Sequence, residues 1–317
     1  MIDLDQRIET RSRLNMRVGG AEKPPPPAGK GVIRMIRTIF VPLATEVSSE
    51  PLLGAALAVA RRVNSHIGVT FIMPDPDAVL GYLPEVILAT GVTRETIERE
   101  THEAAAAEKR RFIVWRTNND VPEVGGARLD SCFATWSEQI GDIETVVTRF
   151  GRLSDLIVVE RPTTERVHAQ RCFDAAVFGS GRPTLVVGEK PPFDIIDHVM
   201  IAWNGSLEAS RAVLGAMPLL NRANRVSIFA APQYDFEGVD PADLVDALSW
   251  HGIRAHRVVG PKEGDAVGPN LISVAAEQHV TLIVMGAYTH SRLRQSFLGG
   301  VTKHVLAHAP VPLLMSH

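Results

Sequence analysis

The sequence predicts an α/β chain built from two doubly wound domains, each a parallel sheet covered by helices on both faces. Three observations carry this. Short apolar strands alternate with amphipathic helices along most of the chain. The strands are near-continuous apolar runs, as in LIVV (156–159) and LIVM (282–285), the mark of strands buried on both faces. The chain also repeats itself once. DLIVVE (155–160) matches TLIVMG (281–286), AVFGSGRPTLVV (176–187) matches VLAHAPVPLLMS (305–316), and RTIFVPLATEVSSE (37–50) matches HVMIAWNGSLEAS (198–210). The blocks keep their order, so the repeat is two copies of one domain. Right-handed crossovers then favour the doubly wound topology, with its ligand crevice beyond the carboxyl ends of the strands.

In the second copy, strands are expected at 199–202, 225–230, 253–259, 281–285 and 311–315. Helices are expected at 207–220, 242–251, 271–279 and 301–308. The first copy opens with a strand at 36–42, a helix at 51–64 and a strand at 67–72. A long stretch, 74–116, replaces the shorter equivalent of the second copy. It holds a strong helix, 94–114, centred on four alanines, 104–107. Pro191 and Pro192 mark a linker at 188–194, giving domains at 35–188 and 195–317. Residues 1–34 are polar and charged and contain four consecutive prolines, 24–27, which favour an extended, hydrated chain. They read either as a disordered tail or as a spurious extension before a start at Met35.

The 317 residues are 45% hydrophobic and 22% charged, with a formal net charge of −3. No run of Lys and Arg forms a nucleic-acid footprint. No apolar stretch approaches the roughly 20 residues that span a bilayer, and no signal-peptide core is visible, so a cytoplasmic protein is expected. The two cysteines, Cys132 and Cys172, lack C-x-x-C spacing and read as idle thiols.

The segment 281–317 carries the functional signal. An apolar strand meets Gly286, a polar basic loop follows, and the pair Gly299-Gly300 opens a helix. Strand, glycine loop and helix N-terminus is an arrangement that cradles phosphate, because glycine lets backbone approach the anion and the first helical N–H groups point at it. Arg292 and Arg294 add positive charge beside that helix start.

These residues resemble the nucleotide-binding loop of the universal stress protein family: glycine, two residues, glycine, nine residues, glycine, then serine or threonine. Gly286 and Gly299 take the first and third glycines. Thr289 stands at the second, and Gly300 at the hydroxyl position. A β-branched Thr289 tolerates φ > 0 poorly, which argues for an altered loop. Thr302 offers a hydroxyl nearby, and the run Ala309 to Pro312 is similar to the family's entry into its last strand. The resemblance covers about residues 36–317 and implies a Rossmann-like, nucleotide-binding fold. It also implies an internal pseudo-dimer, in which Leu185–Val187 pairs with Leu313–Met315.

For the second copy the resemblance implies backbone contacts to ATP or AMP from Met285, Gly286, Tyr288, Thr289 and Gly299, continuing through Gly300, Val301 and Thr302. Ala202 and Asn204 complete the site from the first βα turn. An aspartate is common in the family at the Asn204 position. Asn204, Gly205 and Ser206 can equally form a turn and helix cap with no ligand. Mg accompanying ATP is the one metal implied. In the first copy, Glu160-Arg161-Pro162 follows the fourth strand with no glycine until Gly179, and a glutamate there repels a phosphate. The first copy is therefore expected to be an inert structural partner.

His304 and His308 stand i, i+4 on the last helix, but no H-E-x-x-H or third ligand accompanies them, so they read as surface histidines. Ser180, in Gly179-Ser180-Gly181, reads as a helix C-terminal turn and not a nucleophile. No residue stands out as a catalytic base. Three functions stay open on the sequence: a stress-response module regulated by an adenine nucleotide, a scaffold acting through protein contacts, and a weak ATP hydrolase. An unidentified protein partner and a homodimer are compatible with all three.

Overall fold

Each strand register below comes from a computed structural model. It describes residues 36–45, 47–84, 87, 91–123, 132–190, 194–231, 239–258, 266–287 and 300–317.

The first half runs β1 (Thr38–Leu43), α1 (Ser49–Val63), β2 (His66–Met73), α2 (Pro76–Tyr82), α3 (Arg94–Asn118), β3 (Phe133–Ile140), α4 (Ile143–Gly151), β4 (Leu156–Glu160), α5 (Val167–Asp174) and β5 (Thr184–Val187). The second runs β6 (His198–Trp203), α6 (Leu207–Leu220), β7 (Arg225–Ala230), α7 (Pro241–Trp250), β8 (Ala255–Val258), α8 (Val267–Glu277), β9 (Leu282–Gly286), α9 (Gly300–His308) and β10 (Leu313–Ser316).

All ten strands form one sheet in the order β3-β2-β1-β4-β5-β10-β9-β6-β7-β8. Each half has the order 3-2-1-4-5 with parallel pairing throughout. The halves join through the antiparallel pair β5–β10, with Leu185 opposite Leu314. This is the expected pairing of last strands, and it covers one sheet edge of each half. The α/β class, the doubly wound halves and their internal pairing thus hold as expected.

Local chemistry explains the helix ends. Thr93 caps α3 by accepting from Thr96 N at 3.2 Å. Asp240 and Asp243 form a reciprocal capping box on α7, followed by Pro241 in the first turn. Asn64 ends α1 at φ 54°, in the left-handed region that asparagine tolerates. After α5 the helix widens into a π-helical turn, Ala175–Gly179, and Gly181 turns the chain at φ +68° toward Pro183. Ser180 Oγ donates to Ala176 O and accepts from Arg182 N, so Ser180 belongs to a helix C-terminal turn.

The core lies on both faces of the sheet. Strands β4, β5 and β10 are buried along their whole length. Between residues 117 and 154 the sequence suggested no element, yet β3 and α4 lie there. As an edge strand, β3 (FATWSEQI) is only partly covered and carries no apolar run to betray it. Among the described residues no helix is long and apolar enough to cross a membrane.

A candidate anion cradle at the carboxyl ends of β6 and β9

The parallel strands β6 and β9 pair with Ala202 opposite Met285. Two positions further on, the turn after β6 and the loop after β9 emerge at the same edge of the sheet. Asn204 Oδ1 accepts from Ser206 N at 3.2 Å, and Gly205 sits at φ +73°, where a side chain would be strained. Ser206 Oγ then caps α6 by accepting from Ala209 N at 3.1 Å. The turn-and-cap role is therefore real. It occupies one lone pair of the Asn204 carbonyl oxygen and leaves the Nδ2 donor to offer a ligand. An aspartate there would instead accept from a sugar hydroxyl.

Gly286 is required for a reason the sequence did not show. A Cβ on it would lie 2.7 Å from Ala209 N and 2.9 Å from the Glu208 carbonyl carbon. The first turn of α6 rests on the end of β9, which brings a helix N-terminus with its free amides to the cradle. Met285 beside it is buried. Beyond Gly286, Ala287 N donates to Ser316 O at 2.8 Å, and Ala287 O accepts from His317 Nδ1 at 2.8 Å. The His317 ring meets Phe178 of the first half edge-on at 5.0 Å. The carboxyl end of the second half's last strand therefore braces the start of the loop. Nothing in the sequence marked His317 for this part.

Tyr288, Thr289 and Gly299 lie outside the described residues, as do Arg292 and Arg294. At the far side of the loop Gly300 is exposed and opens α9, and a Cβ on it would meet nothing within 4 Å. Val301 is half-buried against the core and Thr302 is buried. Ala202, Asn204, Met285 and Gly286 are thus gathered at one sheet edge, and Gly300, Val301 and Thr302 form the first turn of the helix that closes the loop.

The first half places different chemistry at the matching position. Glu160, only 8% exposed, ends β4 opposite Val187, as Gly286 ends β9 opposite Ser316. Its carboxylate accepts from Ser48 N at 3.2 Å, at the N-terminus of α1, and pairs with Arg166. Next to it, Arg161 donates to Ala309 O at 2.5 Å and Val311 O at 2.9 Å, fastening the first half to the α9–β10 turn. Burial pulls the Arg161 pKa below the usual guanidinium value. Arg166, six residues after Glu160, was the available sequence signal for this pair, and it was missed.

His304 stacks on His308 with ring centroids 4.3 Å apart, and His308 Nδ1 donates to the His304 carbonyl. Among the described residues no three His, Cys, Asp or Glu gather to hold a metal.

The universal stress protein family model matches residues 196–317. That match covers β6 to β10 and the whole cradle. Residues 196–317 form a universal stress protein domain. Among solved structures, a universal stress protein from Archaeoglobus fulgidus is 17% identical, with 87% of this chain and 95% of that chain covered, at a TM-score of 0.63. It therefore shares the fold across both halves. A protein of unknown function from Pseudomonas aeruginosa is 13% identical, covering 89% of this chain and 92% of that one at 0.47. A universal stress protein from Lactobacillus plantarum is 16% identical, covering 48% of this chain and 98% of that one at 0.33. No curated protein matches the chain.

Proposed function

We propose that the chain is a tandem universal stress protein, with domains at 35–188 and 195–317, that binds one adenine nucleotide in its second domain. The carrying observation is the convergence at one sheet edge. The Asn204 turn and Gly286, under the first turn of α6, meet at the carboxyl ends of β6 and β9, and α9 opens at Gly300 on the far side of the sequence expected to hold phosphate. The helix N-terminus that rests on Gly286 favours an anion at that edge. The ligand is ATP, with Mg, or AMP, and its occupancy regulates a stress response through a protein partner in the cytoplasm. The first domain serves as the structural partner, because Glu160 already supplies a carboxylate to the N-terminus of α1.

Calorimetric titration of the full chain with ATP and with AMP tests this. Saturable heat is expected, weakened at least about tenfold by Asn204→Ala or Gly299→Val, a loss of about 1.4 kcal/mol. No heat at millimolar nucleotide would instead favour the scaffold reading.

A further inference from the structure

A cavity lies far from the cradle in sequence, in the half where Glu160 fills the matching sheet-edge position. A groove of about 600 Å³ runs between α1 and α3, with Leu53, Ala107, Val114 and Trp115 along it and Arg110 and Arg111 beside them. That volume falls within the range of small-molecule sites. One wall belongs to the long helix α3, which has 25 residues where α7 in the equivalent crossover of the second half has 10. The C-terminal half of α3, from Ala107 on, supplies that wall. One end is lined by Ser49 and Glu50, in the first turn of α1. At the other end Asn118 and Asn119 line it, and Arg61 Nη2 donates to Asn119 O at 2.6 Å, tying the helices together.

Its chemistry is mixed in a particular way. Leu53 is buried and forms an apolar floor. Trp115, half-buried and stacked on Phe112 with centroids 5.8 Å apart, presents a rigid aromatic wall. Two guanidinium groups line the groove against a single carboxylate, Glu50. Arg111 is held by Glu108, whereas Arg110 has no ion pair among the described residues. A flat apolar body matches the walls, and one negative charge matches Arg110, whose planar fork suits a carboxylate.

We infer that this groove binds a small carboxylate with a flat apolar body, its ring lying along Trp115 and Leu53 and its carboxylate on Arg110. This site is independent of the nucleotide reading and involves none of the cradle residues.

The probe is 2-naphthoate, titrated into the full chain by calorimetry and followed by tryptophan emission, with uncharged 2-naphthol as control. One naphthoate per chain is expected, with an emission change that Trp115→Phe removes. Arg110→Gln, on an exposed side chain, should weaken binding about tenfold, and 2-naphthol should bind weaker by a similar factor. Ala107→Trp should abolish binding by filling the groove, with circular dichroism checking the fold. Should that variant not fold, Arg110→Gln decides. Absence of binding at millimolar naphthoate, affinity unchanged in Arg110→Gln, or naphthol binding as tightly as naphthoate would each overturn the inference. ATP binding is measured on the same variants, so the two sites fail or survive separately.

Discussion

Glu160 and Gly286 occupy the same register position in the two half-sheets, and they do opposite things there. Each ends the strand that pairs with the first strand of its half. Gly286 has no side chain, so the first turn of α6 rests directly on its backbone. Glu160 fills the equivalent space with a carboxylate that takes Ser48 N–H at the start of α1 and the Arg166 guanidinium. One fold, repeated, thus presents bare backbone to a helix N-terminus in one half and an internally paired carboxylate in the other.

Gly286→Ala is expected to destabilise the chain by about 1–3 kcal/mol, the usual cost of overpacking. The added Cβ would meet backbone atoms of Glu208 and Ala209, which cannot swing aside as a side chain does. A lowered thermal midpoint checks this, and an unchanged midpoint would show that α6 can withdraw freely.

Gly300→Ser should be tolerated, since the space around that Cβ is open. It restores a hydroxyl at the family's position beside the start of α9. Nucleotide affinity should rise about fivefold for one added hydrogen bond of about 1 kcal/mol. Titration calorimetry on the variant reads the gain, and no gain would place the phosphate elsewhere.

Glu160→Gln removes the nearer of two carboxylates from Arg166 and leaves it Glu189 at 4.0 Å. A loss of about 2 kcal/mol is expected, below the range for fully enclosed pairs because the Arg166 side chain is 34% exposed. Nucleotide stoichiometry should stay unchanged, since Arg161 and Pro162 still follow where the second half has a glycine loop. Chemical denaturation measures the first effect. A second bound nucleotide would refute the second.

Acid should weaken the fold through His198. Its Nδ1 donates to Gln278 O at 3.0 Å, so Nε2 accepts from Ser227 Oγ at 2.9 Å, and the ring is neutral. Burial, foremost, holds its pKa below the ordinary 6.5. The unfolded chain then binds a proton that the folded chain refuses. The contribution is fully present above about pH 6.5 and is lost as pH falls through that value toward the lower folded pKa. Urea midpoints from neutral to pH 5 should fall less steeply for His198→Gln than for the natural chain. Parallel slopes would remove His198 from the effect.

Cys172 should resist alkylation in the folded chain. Burial pushes its thiol up to about 12, so almost no thiolate exists at neutral pH. Labelling with iodoacetamide before and after denaturation, read by mass spectrometry, checks this. Rapid native labelling of Cys172 would contradict it.

Much of the fold was legible because the apolar blocks of the repeat align. DLIVVE and TLIVMG put Glu160 opposite Gly286, and AVFGSGRPTLVV and VLAHAPVPLLMS put Val187 opposite Ser316, as the registers do. The opening blocks start one residue out of register: Thr38, not Arg37, matches His198. A strand buried on both faces has no alternation to fix its phase. The helix 207–220 was legible from its Ser206 cap and apolar face. The cradle was legible as glycines and a βα turn, but not the reason for Gly286, which depends on a helix about eighty residues earlier in the chain. Neither Arg161 reaching Ala309 nor the α1–α3 groove could be read, because both arise from contacts between segments far apart in sequence.

The most direct measurement is the adenine nucleotide content of the purified full chain, released by denaturation and quantified by ion-exchange chromatography after saturation with ATP and removal of excess. One nucleotide per chain, lost in Gly299→Val and kept in Glu160→Gln, is the expected result. Two per chain, or none at any ATP concentration, would contradict a single open cradle in the second half.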